Sequence, residues 1–303
     1  TPPPVRLLIT QGDPDGVGPE VLVKALAAGA SGDAEVVVLG ERALVLRTAE
    51  ALGLPLPARV DDAPRPGRAA TLWALEEACR RIRDGAADAV CTAPIHKADL
   101  ERMGFAFSGH TEFLAERLGS GTPTMMLAGD ALRMALVTTH VPVSALARLI
   151  TEERVADTIR RVHVGLTRWF GIAAPRIAVL GLNPHAGEDG LFGREDLERI
   201  APAVARCRGE GILCDGPLPG DGTFAPRTRA RFDAIVAMYH DQGLAPLKAV
   251  EGGRAVNLTL GLPVPRTSPD HGTARDIAGR GIADPTSMQA AIALAVHAVR
   301  AAR

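Results

Sequence analysis

Short runs rich in Val, Ile and Leu recur through this chain, each separated from the next by a longer stretch with helical periodicity. That rhythm constrains the fold more than any other feature. The runs are RLLIT (6–10), VVVLG (36–40), ADAVCTA (87–93), ALRMALVTT (131–139), RIAVLGL (176–182) and FDAIVAM (232–238). Helical patterns between them include TLWALEEACRRIRDG (71–85), ITEERVADTIRRVHVGLTRWF (150–170) and REDLERIAPAVARCRGEG (194–211), the last two with Thr151 and Gly193 as expected caps. Alternation of this kind predicts an α/β protein with mostly parallel sheets. One stretch departs from it: in PTMMLAGDALRMALVTT (123–139) two apolar runs flank a Gly-Asp turn, which predicts a β-hairpin and so an antiparallel insertion.

Composition narrows the class. The chain has 303 residues, 47% hydrophobic content and a net charge of −1, enough for one large or two medium domains. Charges of both signs are interspersed and no polybasic run occurs, so neither nucleic acid nor membrane is an expected partner. No apolar stretch approaches the ~20 residues that span a bilayer. TPPPVRLLIT at the start carries no charged leader before an apolar segment, so a cytoplasmic location is expected. Cys79, Cys91, Cys207 and Cys214 lack CxxC spacing and are expected to be small buried hydrophobes.

Three of the apolar runs end in a histidine: His140 in MALVTTHVPV, His185 in RIAVLGLNPHAGE and His240 in AIVAMYHDQGLAPLK. Open α/β sheets bind ligands at the carboxyl ends of their strands, and imidazole is the commonest side-chain metal ligand. A single histidine in this position is ordinarily a turn or capping residue. Three of them can converge on one metal, and separations of 45 and 55 residues require the fold, or a second subunit, to assemble the cluster. His163 and His297 fall within helical patterns and are expected to be structural.

Other motifs supply candidates for binding. QGDPDGVGPE (11–20) makes a Gly/Pro-rich turn after the first strand, with a helix beginning near Pro19. It is not a GxGxxG fingerprint, and such turns also serve packing alone. In CTAPIHKADL (91–100) Lys97 can serve an anion. In SGHTEFLAE (108–116) His110 and Thr111 stand at an expected helix start, where free N–H groups favour anions; Thr111 or Ser108 can equally be a cap. Lys248, Asn257 and Arg266 follow at nine-residue intervals and suit a carboxylate or phosphate, with solvated surface charge as the plain alternative. DHGTARDIAGRGIADPTS (270–287) has the pattern of a helix start capped by Asp270 or Thr273.

GDPDGVGPE, TAPIHK, SGHTEF, LVTTHVPV, GLNPHAGEDGLFGRE, AMYHDQGLAPLK, VNLTLGLP and RTSPDHGTARDIAG occur in the order found in one family, over nearly the whole chain. The chain resembles the 4-hydroxythreonine-4-phosphate dehydrogenase family of vitamin B6 synthesis. More distantly, GDPDGVGPE and HGTARDIAGRGIADP are similar to loops of isopropylmalate and isocitrate dehydrogenases. The resemblance implies their two-domain α/β fold, expected here as residues 1–125 plus 266–303 on the cofactor side and 126–265 as the metal, substrate and dimerisation domain.

The same resemblance implies that His140, His185 and His240 are the ligands of one divalent metal per site. Zinc is expected ahead of magnesium or cobalt, because a three-histidine shell suits a borderline metal. It further implies a homodimer in which the partner supplies His240. His110, Thr111, Lys248, Asn257 and Arg266 match substrate-binding positions. Gly12, Asp13, Gly16, His271, Gly272, Thr273 and Asp276 lie in the loops expected to hold NAD or NADP. Lys248 and Asp241 are the expected catalytic pair, Lys248 as a candidate base and Asp241 beside the ligand His240. The implied reaction is oxidation and decarboxylation of 4-phosphooxy-L-threonine. Phosphorylated threonate or erythronate is the alternative substrate within the class, aromatic cis-dihydrodiols being the unphosphorylated case, and a phosphate acetyltransferase-like transferase is the alternative outside it.

Overall fold

A computed structural model describes residues 2–303. Its strands, in chain order, are β1 Arg6–Thr10, β2 Glu35–Gly40, β3 Arg59–Asp62, β4 Ala89–Thr92, β5 Thr124–Ala128, β6 Arg133–Leu136, β7 Arg176–Leu180, β8 Leu213–Leu218, β9 Ala234–Ala237, β10 Val256–Leu260 and β11 Arg266–Pro269. Two compact units form. One runs to Pro123 and resumes with Val256–Arg303; the other is Thr124–Ala255. The sequence reading put the return at 266. The first unit takes in β10, which pairs antiparallel with β11, Thr259 lying opposite Arg266.

In the first unit the strand order is β3-β2-β1-β4-β11-β10, parallel except for that last pair. The apolar runs become strands buried on both faces because successive side chains point to opposite sides of the sheet. Leu7 and Ile9 of β1 meet Val21, Leu22 and Leu26 of the helix Gly18–Ala27 and Ile292 of the helix Thr286–Ala301. Leu8 points the other way, towards Ala74, Ala78 and Ile82 of the helix Arg68–Arg83. Leu22 has no exposed surface, so Leu22→Ala would cost roughly 2–5 kcal/mol.

The second unit has the order β5-β6-β9-β7-β8. The hairpin expected at 123–139 forms from β5 and β6, with Met126 opposite Ala135, and the remaining pairs are parallel. One face is covered by the helix His240–Glu251 through Leu244 and Leu247. The helix Glu152–Phe170 packs on β5, β6, β7 and β9. Thr151 caps it as expected, its hydroxyl accepting from Arg154 N at 3.3 Å. The mostly parallel α/β class with an antiparallel insertion is therefore present.

Several local expectations are corrected. Gly193 caps no helix: it sits at φ 121° against Asn183, and the helical segment starts after Glu195. Asp270 and Thr273 open no helix either, because the chain stays irregular until Thr286, where the Asp284 carboxylate accepts from Thr286 N. Gly109, not Ser108 or Thr111, holds the cap position before His110–Leu118, with no side-chain cap. All four cysteines are buried and free; burial pushes the Cys91 thiol up to about 12. Among the described residues no helix is long and apolar enough to cross a membrane.

Candidate functional site

Arg266 organises the polar group of the first unit. It opens β11 and is 2% exposed, yet among the described residues no carboxylate forms an ion pair with it. Hydroxyls receive its guanidinium instead: Nη2 and Nε donate to Thr92 Oγ1 at 2.7 and 3.1 Å, and Nη1 donates to Thr259 Oγ1 at 3.1 Å and Thr111 Oγ1 at 3.4 Å. Burial lowers the guanidinium to about 10. A buried cation hydrogen-bonded only to neutral acceptors is incompletely compensated, the Glu112 carboxylate acting on it only through space, and its guanidinium fork is of a kind that takes a bidentate anion.

His110 and Thr111 begin the helix His110–Leu118, whose first N–H groups carry no side-chain cap. Burial holds the His110 imidazole well below its usual range, and the positive charges of Arg266 and Lys97 add to the shift. The ring is therefore neutral near pH 7, and its Nε2 is a buried atom with no hydrogen-bond partner among the described residues. Asn257 lies two residues before Thr259 on β10, hence on the same face, and its Oδ1 is likewise buried without a partner. Lys97 reaches the same helix start, since a Cβ on Gly109 would stand 3.6 Å from its Nζ. Arg266, His110, Thr111 and Asn257, separated by up to 156 positions in the chain, are thus gathered in one unit with unmet hydrogen-bonding capacity. Lys248 is in the other unit, in the last turn of His240–Glu251.

In that second unit strand order gathers the histidines. His140, His240 and His185 follow β6, β9 and β7, three adjacent parallel strands, at their carboxyl ends. The rings of His140 and His240 have centroids 5.6 Å apart, whereas His185 stands 6.1 Å from Phe192. Among the described residues no group of three or more His, Cys, Asp or Glu side chains is placed to hold a metal ion in one chain. The donors nonetheless suit a zinc-like ion: His240 Nδ1 lies 2.7 Å from Asp241 Oδ1, which leaves Nε2 for a metal and gives the ring a carboxylate to orient it.

Supports of this edge escaped the sequence reading. Gln242 ties two strand ends together, accepting from Met238 N through Oε1 and donating from Nε2 to Gly181 O, both at 2.7 Å. Buried Asp196 accepts from Leu182 N at 2.7 Å and Asn183 N at 3.2 Å, and so shapes the turn that carries His185. Gln242 was visible only as a neighbour of the His-Asp pair, and Asp196 only as one of several acids in a helical pattern.

The loops expected to hold a dinucleotide lie together in the first unit. Gly12 and Gly16 face the chain itself, since a Cβ on Gly12 would come 2.5 Å from Pro94 O and one on Gly16 2.8 Å from Thr273 O. Asp13 is buried and accepts from Arg275 Nε at 2.7 Å. What remains for a ligand is on the other loop: nothing lies within 4 Å of a Cβ on Gly272, His271 Nε2 is buried without a partner, and Asp276 is exposed. These residues fit a dinucleotide at 271–272 better than at Gly12 or Gly16.

Two α/β units form, the second with histidines after three adjacent parallel strands and the first with a buried guanidinium held by hydroxyls. A β-decarboxylating dehydrogenase from Thermococcus kodakarensis shares the fold, with a TM-score of 0.54 at 18% identity over 94% of this chain and 81% of its own. Residues 34–295 match the family of pyridoxal phosphate biosynthetic protein PdxA, and the chain belongs to that family and, with it, to the oxidoreductases. A relative from Azoarcus sp. (strain BH72) named 4-hydroxythreonine-4-phosphate dehydrogenase is 45% identical, with 97% of this chain and 96% of its own covered. The crystal structure of a 4-hydroxythreonine-4-phosphate dehydrogenase from Klebsiella pneumoniae matches with a TM-score of 0.88 at 36% identity over 98% of each chain. The transferase alternative is set aside by this membership.

Proposed function

We propose that the chain oxidises 4-phosphooxy-L-threonine with NAD(P)+ to 2-amino-3-oxo-4-phosphooxybutanoate, which loses carbon dioxide to give 3-amino-1-hydroxyacetone 1-phosphate, in pyridoxal 5′-phosphate biosynthesis. The observation that carries this reading is Arg266, a buried guanidinium met only by hydroxyls beside an uncapped helix start and two unpartnered polar atoms. A phosphate dianion suits it: the guanidinium fork takes two oxygens, and Thr111 and the helix N–H groups take others. Neutral His110 and Asn257 orient the remainder of the substrate through Nε2 and Oδ1, which fixes which carbon is presented for oxidation.

His140, His185 and His240 would hold a divalent metal, zinc by donor type. When bound, the metal supplies Lewis-acid polarisation of the substrate oxygen and the nicotinamide accepts the hydride. Asp241 orients the His240 ring through Nδ1. Lys248 is the candidate base for the hydroxyl proton, a role that requires it to be neutral when substrate is bound.

We place His140 and His185 of one protomer with His240 of its partner. The in-chain approach of the His140 and His240 rings supports a second arrangement, in which those two act together within one protomer. Mixed dimers of His140→Ala and His240→Ala subunits separate the two: recovery of one active site per dimer supports the shared shell, and no recovery supports the in-chain one. For the reaction itself, NAD(P)H formation is to be followed with phosphorylated hydroxythreonine, threonate and erythronate, with and without EDTA. Turnover restricted to the sugar-acid phosphates, or full turnover by metal-free protein, would overturn the corresponding part of the proposal.

A further inference from the structure

One side chain fastens the loop that follows β11 to two other segments. Arg275 donates from Nε to Asp13 Oδ2 at 2.7 Å and from Nη2 to Asp99 Oδ2. Asp13 lies in the turn after β1 and Asp99 in the short helix Lys97–Glu101, and their side chains are only 2% and 8% exposed. Arg275 is the main reason that the Asp99 carboxyl is held below its usual range. Val17 N donates to Thr273 O at 2.8 Å, and Gly16 leaves no space between the two loops. Ala274, next to Arg275, has φ 42°, a conformation that a residue with a side chain keeps only where its surroundings hold it. On the open side of the same loop stand Gly272 and the unpartnered Nε2 of His271.

We propose that Arg275 is a positioning residue for dinucleotide binding: by joining Asp13 to Asp99 it holds 271–274 in the turn that presents His271 and Gly272 to the cofactor. The inference rests on the dehydrogenase reading above. An exposed ion pair contributes little, but here removal of the cation takes from buried Asp13 its one ion-pair partner among the described residues, while Asp99 keeps Arg68 and Arg102, and the loop loses its tie to both segments at once.

The test is binding of NADH and NADPH to the full chain by fluorescence titration, together with hydrogen exchange across 270–281. Arg275→Ala should weaken the better-bound dinucleotide on the order of tenfold, with Arg275→Lys retaining part of the affinity. Exchange in 270–281 should rise, and the affinity for inorganic phosphate at the Arg266 pocket should stay unchanged. Asp13→Asn should reproduce the loss, and the double variant should be no weaker than either single one. Unchanged dinucleotide affinity in Arg275→Ala, or an equal loss of phosphate affinity, overturns the positioning role while leaving the dehydrogenase reading intact. Absence of dinucleotide binding by the unaltered protein would overturn both.

Discussion

Arg266 in the first unit is 2% exposed and surrounded by hydroxyls already in place, whereas the His240 ring in the second is 38% exposed and has one in-chain histidine neighbour. The first group is pre-organised, with its desolvation cost met by the fold before any ligand arrives. In the second, the His140 and His240 rings approach each other while His185 stands beside Phe192. A buried site of this kind binds through its shape at a cost to stability; an open one takes its stability from what it binds.

The largest effect that can break this contrast is at Arg266. Arg266→Met should lower kcat/KM for the phosphorylated substrate by roughly 10²–10³-fold, since a charged partner lost from a buried pair costs ~2–5 kcal/mol. The same change should leave the urea midpoint equal or higher, because the incompletely compensated buried charge is gone. A clear loss of stability would show that the hydroxyl shell alone satisfies the guanidinium and that no anion is needed. At the open edge the expectation is reversed. Asp241→Asn should weaken metal binding by about 10–100-fold, read by competition with a chelating dye, and should change metal-free stability little because the carboxylate is 86% exposed. Unchanged affinity would mean that the His240 ring needs no orientation from its neighbour.

The two sites also differed in how far the sequence revealed them. Strands buried on both faces, such as Ala89–Thr92 and Ala234–Ala237, are apolar but for Thr92 and could be read directly. β3, RVDD, and β8, LCDGPL, could not: each ends the strand order of its unit, and exposure there permits charge and Gly-Pro. The antiparallel β10–β11 pair was missed because its connection, Gly-Leu-Pro-Val-Pro, lacks the two-residue turn signature of a hairpin. The three histidines were legible as strand-end residues, but which rings approach depends on the order β6-β9-β7, which spacing does not encode. Arg275 was invisible as a bridge, since its partners lie 262 and 176 positions away. The unpartnered atoms of His110 and Asn257 are properties of packing and have no sequence signal.

The smallest of these effects tests whether the first unit is as dry as its geometry implies. Burial keeps His110 neutral in the folded protein, while the unfolded chain protonates it near the ordinary value of about 6.5. Below that pH the unfolded state takes up a proton that the folded state refuses, so stability is full above about 6.5 and falls with pH until the lowered folded value is reached. The slope from this one group cannot exceed about 1.4 kcal/mol per pH unit. Urea midpoints at pH 7.5 and 5.5 should therefore converge in His110→Gln relative to the unaltered chain, once the other histidines common to both are subtracted. An unchanged difference between the two pH values would mean that water reaches His110 and that the pocket around Arg266 is already hydrated before substrate enters.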